Sequence, residues 1–192
     1  CEMLHVALVR EKQLEILQSF QERYRAAFGL PLPKFIPDTT QLGVVPIQQD
    51  FCFSGYTATV PIFEPPGPHM ADRLLADAHV YETIDYGAPL SLELSCDQIV
   101  TMQRSGRFNA LSFVTNNYLA FVLDEQRGIN WLMNQLILPL SEPFDVAAGD
   151  EVTIRFAYRA GCPLDALQES LDVAPRPHVV PLNRPMPSRR VA

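Results

Sequence analysis

Two acids near the start of the chain, Glu2 and Glu11, flank the stretch "MLHVALVR" and stand nine residues apart. A converging pair of carboxylates can hold a cationic group or take a proton from it, provided both reach the same point. On one continuous helix, nine steps of about 100° put the two side chains on opposite faces with an axial offset of roughly 13 Å. They meet only if a loop interrupts the helix. Otherwise Glu11 belongs to a solvated helix face beside Arg10 and Lys12, and Glu2 is a terminal charge. His5, between the acids, could orient one of them or move a proton. Far along the chain stands Trp131, the single tryptophan, near a strand start, where such a ring either caps a pocket or plugs a barrel.

The elements that must position these residues follow from hydrophobic period. Over 6–28, Leu14, Leu17, Phe20, Tyr24 and Phe28 recur at helical spacing, with Gln18, Glu22 and Arg25 on the wet side. One long amphipathic helix is expected there, with Tyr24 and Phe28 in the core. Gly29 stops it, and the three prolines of "GLPLPKFIP" force an extended crossover. Beyond this point come short runs rich in Val, Ile, Phe, Tyr and Thr, such as "QLGVVPI", "HVYETIDY" and "NALSFVTNNYLAFVL", broken by Pro, Gly, Asn and Asp. They predict a mainly β protein with flanking helices, an antiparallel barrel or sandwich behind the N-terminal helix. In "VTIRFAY", Val152, Ile154, Phe156 and Tyr158 should point inward, following a turn at 148–150. A helical insertion is expected near 68–78, where Met70, Leu74 and Ala78 fall four residues apart, and a short helix in "PLDALQESL". Three segments result: 1–33 with the acids, helix and crossover; 34–171 with the barrel; and 172–192, a Pro/Arg-rich tail expected to be flexible.

At 192 residues, 47% hydrophobic and 19% charged, the chain can bury a substantial core. No run approaches the roughly 18 apolar residues that span a bilayer, so a cytoplasmic protein without a membrane partner is expected. The net charge is −7, but residues 172–192 hold four Arg and one Asp, leaving 11 basic against 21 acidic side chains, −10, on the rest. Such a body repels nucleic-acid phosphates and favours cationic partners. Cys1, Cys52, Cys96 and Cys162, like the four histidines, are scattered without a metal-ligand spacing or a disulfide framework. Neither a Gly-rich phosphate loop after a strand nor a G-x-S-x-G or HExxH motif occurs. Cys1 reads as the edge of a larger polypeptide.

Helix, Pro-rich crossover, antiparallel barrel and then "NWLMNQLILPLSEPFDVAAGDEV" together resemble the C-terminal half of protein arginine methyltransferases and their bacterial relatives. In that family a loop with two glutamates nine residues apart leaves a SAM-binding Rossmann-like domain and enters a β-barrel. Glu2 and Glu11 match this spacing, and Leu8 matches the leucine three before the second acid. Trp131 and Gln135 fall at the places of the family's Trp and Gln, "PFDVAAGDEV" matches its glycine-aspartate turn, and Asn130 stands where the arginine enzymes carry a pocket-lining His.

The resemblance implies the acceptor-binding barrel of an S-adenosyl-L-methionine-dependent methyltransferase, inactive alone. Glu2 and Glu11 would be the catalytic acids, His5, Asn130 and Trp131 would bind substrate, and SAM would be held mainly by a domain outside this sequence. Two carboxylates can clamp the planar donor fork of an arginine guanidinium and keep one nitrogen in line with the sulfonium methyl; a small-molecule amine could use the same acids. A homodimer through an arm at 68–78 is also implied, with Met70, Leu74 and Leu75 as its surface, against the alternative of an intramolecular helix covering one barrel end. Two rival functions are a non-catalytic binding or dimerisation barrel and an autoprocessed hydrolase using Cys1.

Overall fold

The computed structural model describes residues 5–29, 31–67, 71–131 and 133–176. A 3-10 turn at Val6–Leu8 precedes helix α1, Gln13–Phe28. The expected helix over 6–28 therefore begins at Gln13. Ala7, Leu8 and Arg10 have φ of 54°, 52° and 69°, values no right-handed helix admits. It ends where Gly29 predicts: at φ 58° this residue donates its N–H to the Arg25 carbonyl at 2.9 Å.

The strands that follow are β1 (Thr39–Ile47), β2 (Cys52–Phe53), β3 (Tyr56–Thr57), β4 (Ile62–Glu64), β5 (His79–Asp85), β6 (Glu93–Thr101), β7 (Gly106–Val122), β8 (Arg127–Trp131), β9 (Gln135–Val146) and β10 (Glu151–Arg159); helix α2 (Leu164–Glu169) and strand β11 (Asp172–Pro175) complete the order. One sheet runs β4-β9-β7-β1-β5, with β8 also on β7, a second runs β11-β10-β6, and β2 and β3 form a hairpin. Their pairings are antiparallel. Along β10, Val152, Ile154, Phe156 and Tyr158 are buried while Arg155 and Arg159 are exposed, as the alternation predicts. Phe156 meets Phe113 of β7 and Tyr81 of β5 at centroid distances of 5.3 and 5.0 Å, so both larger sheets contribute to one core. This is the expected mainly β, antiparallel architecture with two helices.

Three expectations are corrected. The helical insertion near 68–78 is not helical over its described part, 71–78, which forms turns and bends. Its backbone bonds to neighbours instead of to itself: Leu75 N–H donates to the Pro46 carbonyl at 3.0 Å, and the Leu75 and Arg73 carbonyls accept from Gln103 and Gln48 at 2.7 and 2.9 Å. Leu75 is buried in this chain's own core and is not available to a second subunit; Leu74 bridges Ile47, and Met70 lies outside the described residues. Nor is Phe28 a core residue, being 62% exposed, while Tyr24 is half-buried. Helix α1 docks through Leu14, Leu17 and Gln21; Ile16 lies on its outer side, Phe20 packs edge-on to Phe35, and Phe28, in line with the docking stripe, is exposed because it is the last residue of the helix. Finally, the first residues of the 172–192 tail form β11, because β10 has a free edge to which Asp172–Pro175 adds; 177–192 lie outside the described residues.

The core also holds ionisable groups in neutral form. Tyr86 donates to Thr40 Oγ1 at 2.7 Å, since the Thr40 hydroxyl itself donates to Asn117 Oδ1 at 2.6 Å. Burial pushes the Tyr86 phenol up from 10.0 to about 12, against a smaller opposite effect of Thr40; burial and the nearby Asp97 push the Cys96 thiol up from 9.0 to about 11. Both groups stay protonated in the fold at pH values where the unfolded chain releases its protons. The contribution of these two groups to stability should therefore be constant below about pH 9 and be lost as pH rises towards 12, by about 1.4 kcal/mol per pH unit above pH 10 for Tyr86 alone. Denaturant unfolding across pH 8–12 checks this, with tyrosinate absorbance followed in parallel. Full tyrosine titration near pH 10 in an intact fold would contradict it.

Candidate functional site

The described part of the segment between the two acids, 5–10, is an irregular loop buried over 6–9. Val6, Ala7, Leu8 and Val9 are each at most 2% exposed, so their backbone groups need partners inside the protein. The Ala7 N–H donates to Thr115 Oγ1 on β7 at 2.8 Å, and its carbonyl accepts from the Tyr158 hydroxyl on β10 at 2.8 Å. The Leu8 carbonyl accepts from Gly161 N–H, and Arg10 N–H donates to the Cys162 carbonyl, both at 2.7 Å. Left-handed conformations at non-glycine residues cost of order 1–3 kcal/mol each and persist only where surroundings over-determine them. Here two strands and the turn after β10 do so.

Tyr158 has one proton, committed to Ala7. Its 2.7 Å contact with the Tyr81 hydroxyl therefore runs from Tyr81 to Tyr158. Burial, first, and the mutual contact push the Tyr81 phenol upward; burial does the same to Tyr158. The relay holds its protons at any physiological pH.

Glu11 follows directly. It is half-buried, one of its carboxylate oxygens accepts from the Gln13 side-chain amide, and its backbone lies against Gly161. Glu2 lies outside the described residues. Because 5–12 are not α-helical, the opposite-face geometry of a continuous helix does not apply between His5 and Glu11. After the loop, Arg159 bonds both Glu15 of α1, at 3.2 Å, and Glu93, at 2.9 Å, tying the first turn of the helix to the sheet.

His5 stands edge-on to Phe63, with centroids 5.4 Å apart, and its Nδ1 donates to the Val6 carbonyl at 3.2 Å. It lines a cavity of about 270 Å³ with Val6, Phe63, Met133 and Asn134. The structure thus brings the acid-bearing loop against the residues just after Trp131. Trp131 itself is 44% exposed on β8, opposite Asn117, so it does not plug the barrel. Asn130 is exposed, and its amide donates to Asn116 Oδ1 at 3.3 Å. Neither lines the His5 cavity. Among the described residues no cluster of three His, Cys, Asp or Glu could hold a metal ion, and no helix is long and apolar enough to cross a membrane.

Sequence reasoning missed Thr115, Gly161 and Gln13. Thr115 is a buried polar residue within an apolar strand, and Gly161 sits in the turn "AGC" after a strand; both were visible as types but not as partners of a loop more than 100 residues earlier.

No protein-family model matches the chain, and no curated protein matches it by sequence. Its fold, however, is shared with a solved chain of the Trypanosoma brucei PRMT1 enzyme-prozyme heterotetrameric complex with AdoHcy. The match has a TM-score of 0.59 at 13% identity and covers 91% of this chain. This chain spans 65% of the length of that one. The likeness establishes a fold similar to that of an arginine methyltransferase over nearly all of the present sequence.

Gly161 has φ 81°, and a Cβ there would lie 3.2 Å from the Glu11 carbonyl oxygen and 3.4 Å from Lys12 Cα. Gly161→Ala should cost about 1–2 kcal/mol through its left-handed backbone and displace Glu11. Denaturant unfolding reads the first effect. Faster hydrogen exchange at the Arg10 amide reads the second, and unchanged exchange there would contradict the tight approach.

Proposed function

We propose that this chain is the acceptor-binding barrel portion of an S-adenosyl-L-methionine-dependent methyltransferase acting on arginine side chains. Glu2 and Glu11 hold the acceptor, and His5, Asn130 and Trp131 contribute to its site. The observation that carries this reading is the presentation of Glu11: a buried, strained loop delivers it directly ahead of α1, in a fold shared with an arginine methyltransferase. The acidic body, −10 without residues 172–192, suits a cationic acceptor.

In this reading SAM belongs to a domain outside this sequence. Ile16, exposed in the first turn of α1 next to the loop, offers that domain a surface to rest on. Assembly with a second copy is part of the proposal, supported by the heterotetrameric state of the structural neighbour. When bound, SAM supplies an electrophilic methyl group. The two carboxylates would clamp the guanidinium, hold one of its nitrogens in line with that methyl and take up the proton the nitrogen gives off on methylation.

In the complete protein, Glu11→Gln should lower methyl transfer from labelled SAM to an arginine-rich peptide by roughly 100-fold or more while leaving SAM affinity unchanged. Unaltered transfer would sink the two-acid clamp. A complete protein that binds no SAM would favour the non-catalytic binding module instead.

A further inference from the structure

Two glutamines of α1 are buried, and they are used differently. Gln21 is 2% exposed, and its amide donates to the carbonyls of Tyr86 and Ala88 at 2.7 and 3.0 Å, pinning the helix to the turn after β5. Gln13, the first residue of the helix, is 4% exposed. Its amide nitrogen donates not to backbone but to a carboxylate oxygen of Glu11, two residues earlier. Its own Oε1 is buried and has no hydrogen-bond partner among the described residues.

That combination is a poor device for stability. An orphaned buried acceptor costs as much as or more than the single bond the amide makes elsewhere returns, and an apolar side chain of the same shape would avoid the cost. Nor does Gln13 serve as a helix cap, since the capping position is Lys12, whose side chain makes no cap bond. What the amide does accomplish is to fix which way the Glu11 carboxylate faces. One of its two oxygens is engaged by Gln13, and among the described residues no other side chain bonds the carboxylate, so lone pairs remain for a donor of another molecule.

We infer that Gln13 is a positioning residue for acceptor binding: its side-chain amide holds the Glu11 carboxylate in the orientation that receives the acceptor's N–H groups. This rests on the reading of Glu11 as an acceptor-holding acid. A carboxylate on a flexible side chain must lose rotamer freedom when it grips a planar guanidinium, and Gln13 removes that freedom before the acceptor arrives. It acts through Glu11 and needs no contact with substrate.

The test compares three variants of the complete protein, with SAM and an arginine-rich peptide as the probes. Gln13→Met keeps the shape and removes both polar atoms. It should lower kcat by about 10- to 100-fold, the scale of one hydrogen bond to a charged group, with a smaller change in the KM for SAM and a melting temperature equal to or above wild type. Gln21→Met, the structural control, should lower the melting temperature and reduce activity only as far as folded protein is lost. Gln13→Met with wild-type kcat, or with a loss of stability like that of Gln21→Met, overturns the positioning role. If Glu11→Gln abolishes transfer in the same experiment, the acceptor reading survives that failure. If Glu11→Gln transfers as well as wild type, the acceptor reading falls, and the role of Gln13 with it.

Discussion

The candidate site depends on one constraint: the backbone of a turn containing left-handed Ala7 and Leu8 is buried where water cannot satisfy it. Each unpaired polar group there would cost about 1–3 kcal/mol, so a bond to it matters mainly through the penalty it avoids. Thr115, Tyr158, Gly161 and Cys162 supply the partners, from a strand of each main sheet and the turn beyond. Glu11 inherits its position from them. A carboxylate on a flexible surface loop would sample many places; this one begins from a backbone with little room to move.

Helix α1 takes over where the loop ends and is itself held twice. Gln21 bonds to the carbonyls of Tyr86 and Ala88, and Arg159 bridges Glu15 to Glu93. The exposed ion pair contributes little energy but fixes direction, whereas the buried amide bonds carry more. Aromatic groups run along the helix beside its docking face, with Tyr24 packed between Phe20 and Phe28 at 5.6 and 4.9 Å and Phe20 edge-on to Phe35 at 6.0 Å. Of the exposed apolar residues of α1 only Ile16 lies in the first turn, so a partner resting there also adjoins Glu11, whereas Phe28 is about 22 Å along the axis from Gln13.

Much of this architecture was legible in the residues because it follows from period alone. Alternation in "VTIRFAY" places four side chains inward, Gly29 terminates a helix, and "PLDALQESL" forms one; none requires knowledge of what lies opposite. Misreadings occurred where a partner decides. The 71–78 segment has helical spacing, yet neighbouring backbone bids for its hydrogen bonds; Phe28 falls in the docking stripe of its helix but at the last residue, where it stays exposed. Of the site, the non-helical loop was conceivable from the spacing of the acids, while its cause was not. Left-handed angles at Ala7 and Leu8 have no signature in residue type, since alanine and leucine favour the opposite.

The bond between Tyr158 and Ala7 joins residues 151 positions apart. During synthesis the loop therefore emerges long before the groups that shape it, by about 8–30 s at ordinary elongation rates of 5–20 residues per second. Until the tenth strand and its closing turn arrive, the acid-bearing segment has no reason to leave ordinary backbone conformations. Whatever is made ahead of it folds without it. The site thus takes shape only after its own residues have waited for strand β10, and partially synthesised copies carry the residues of the site without its geometry.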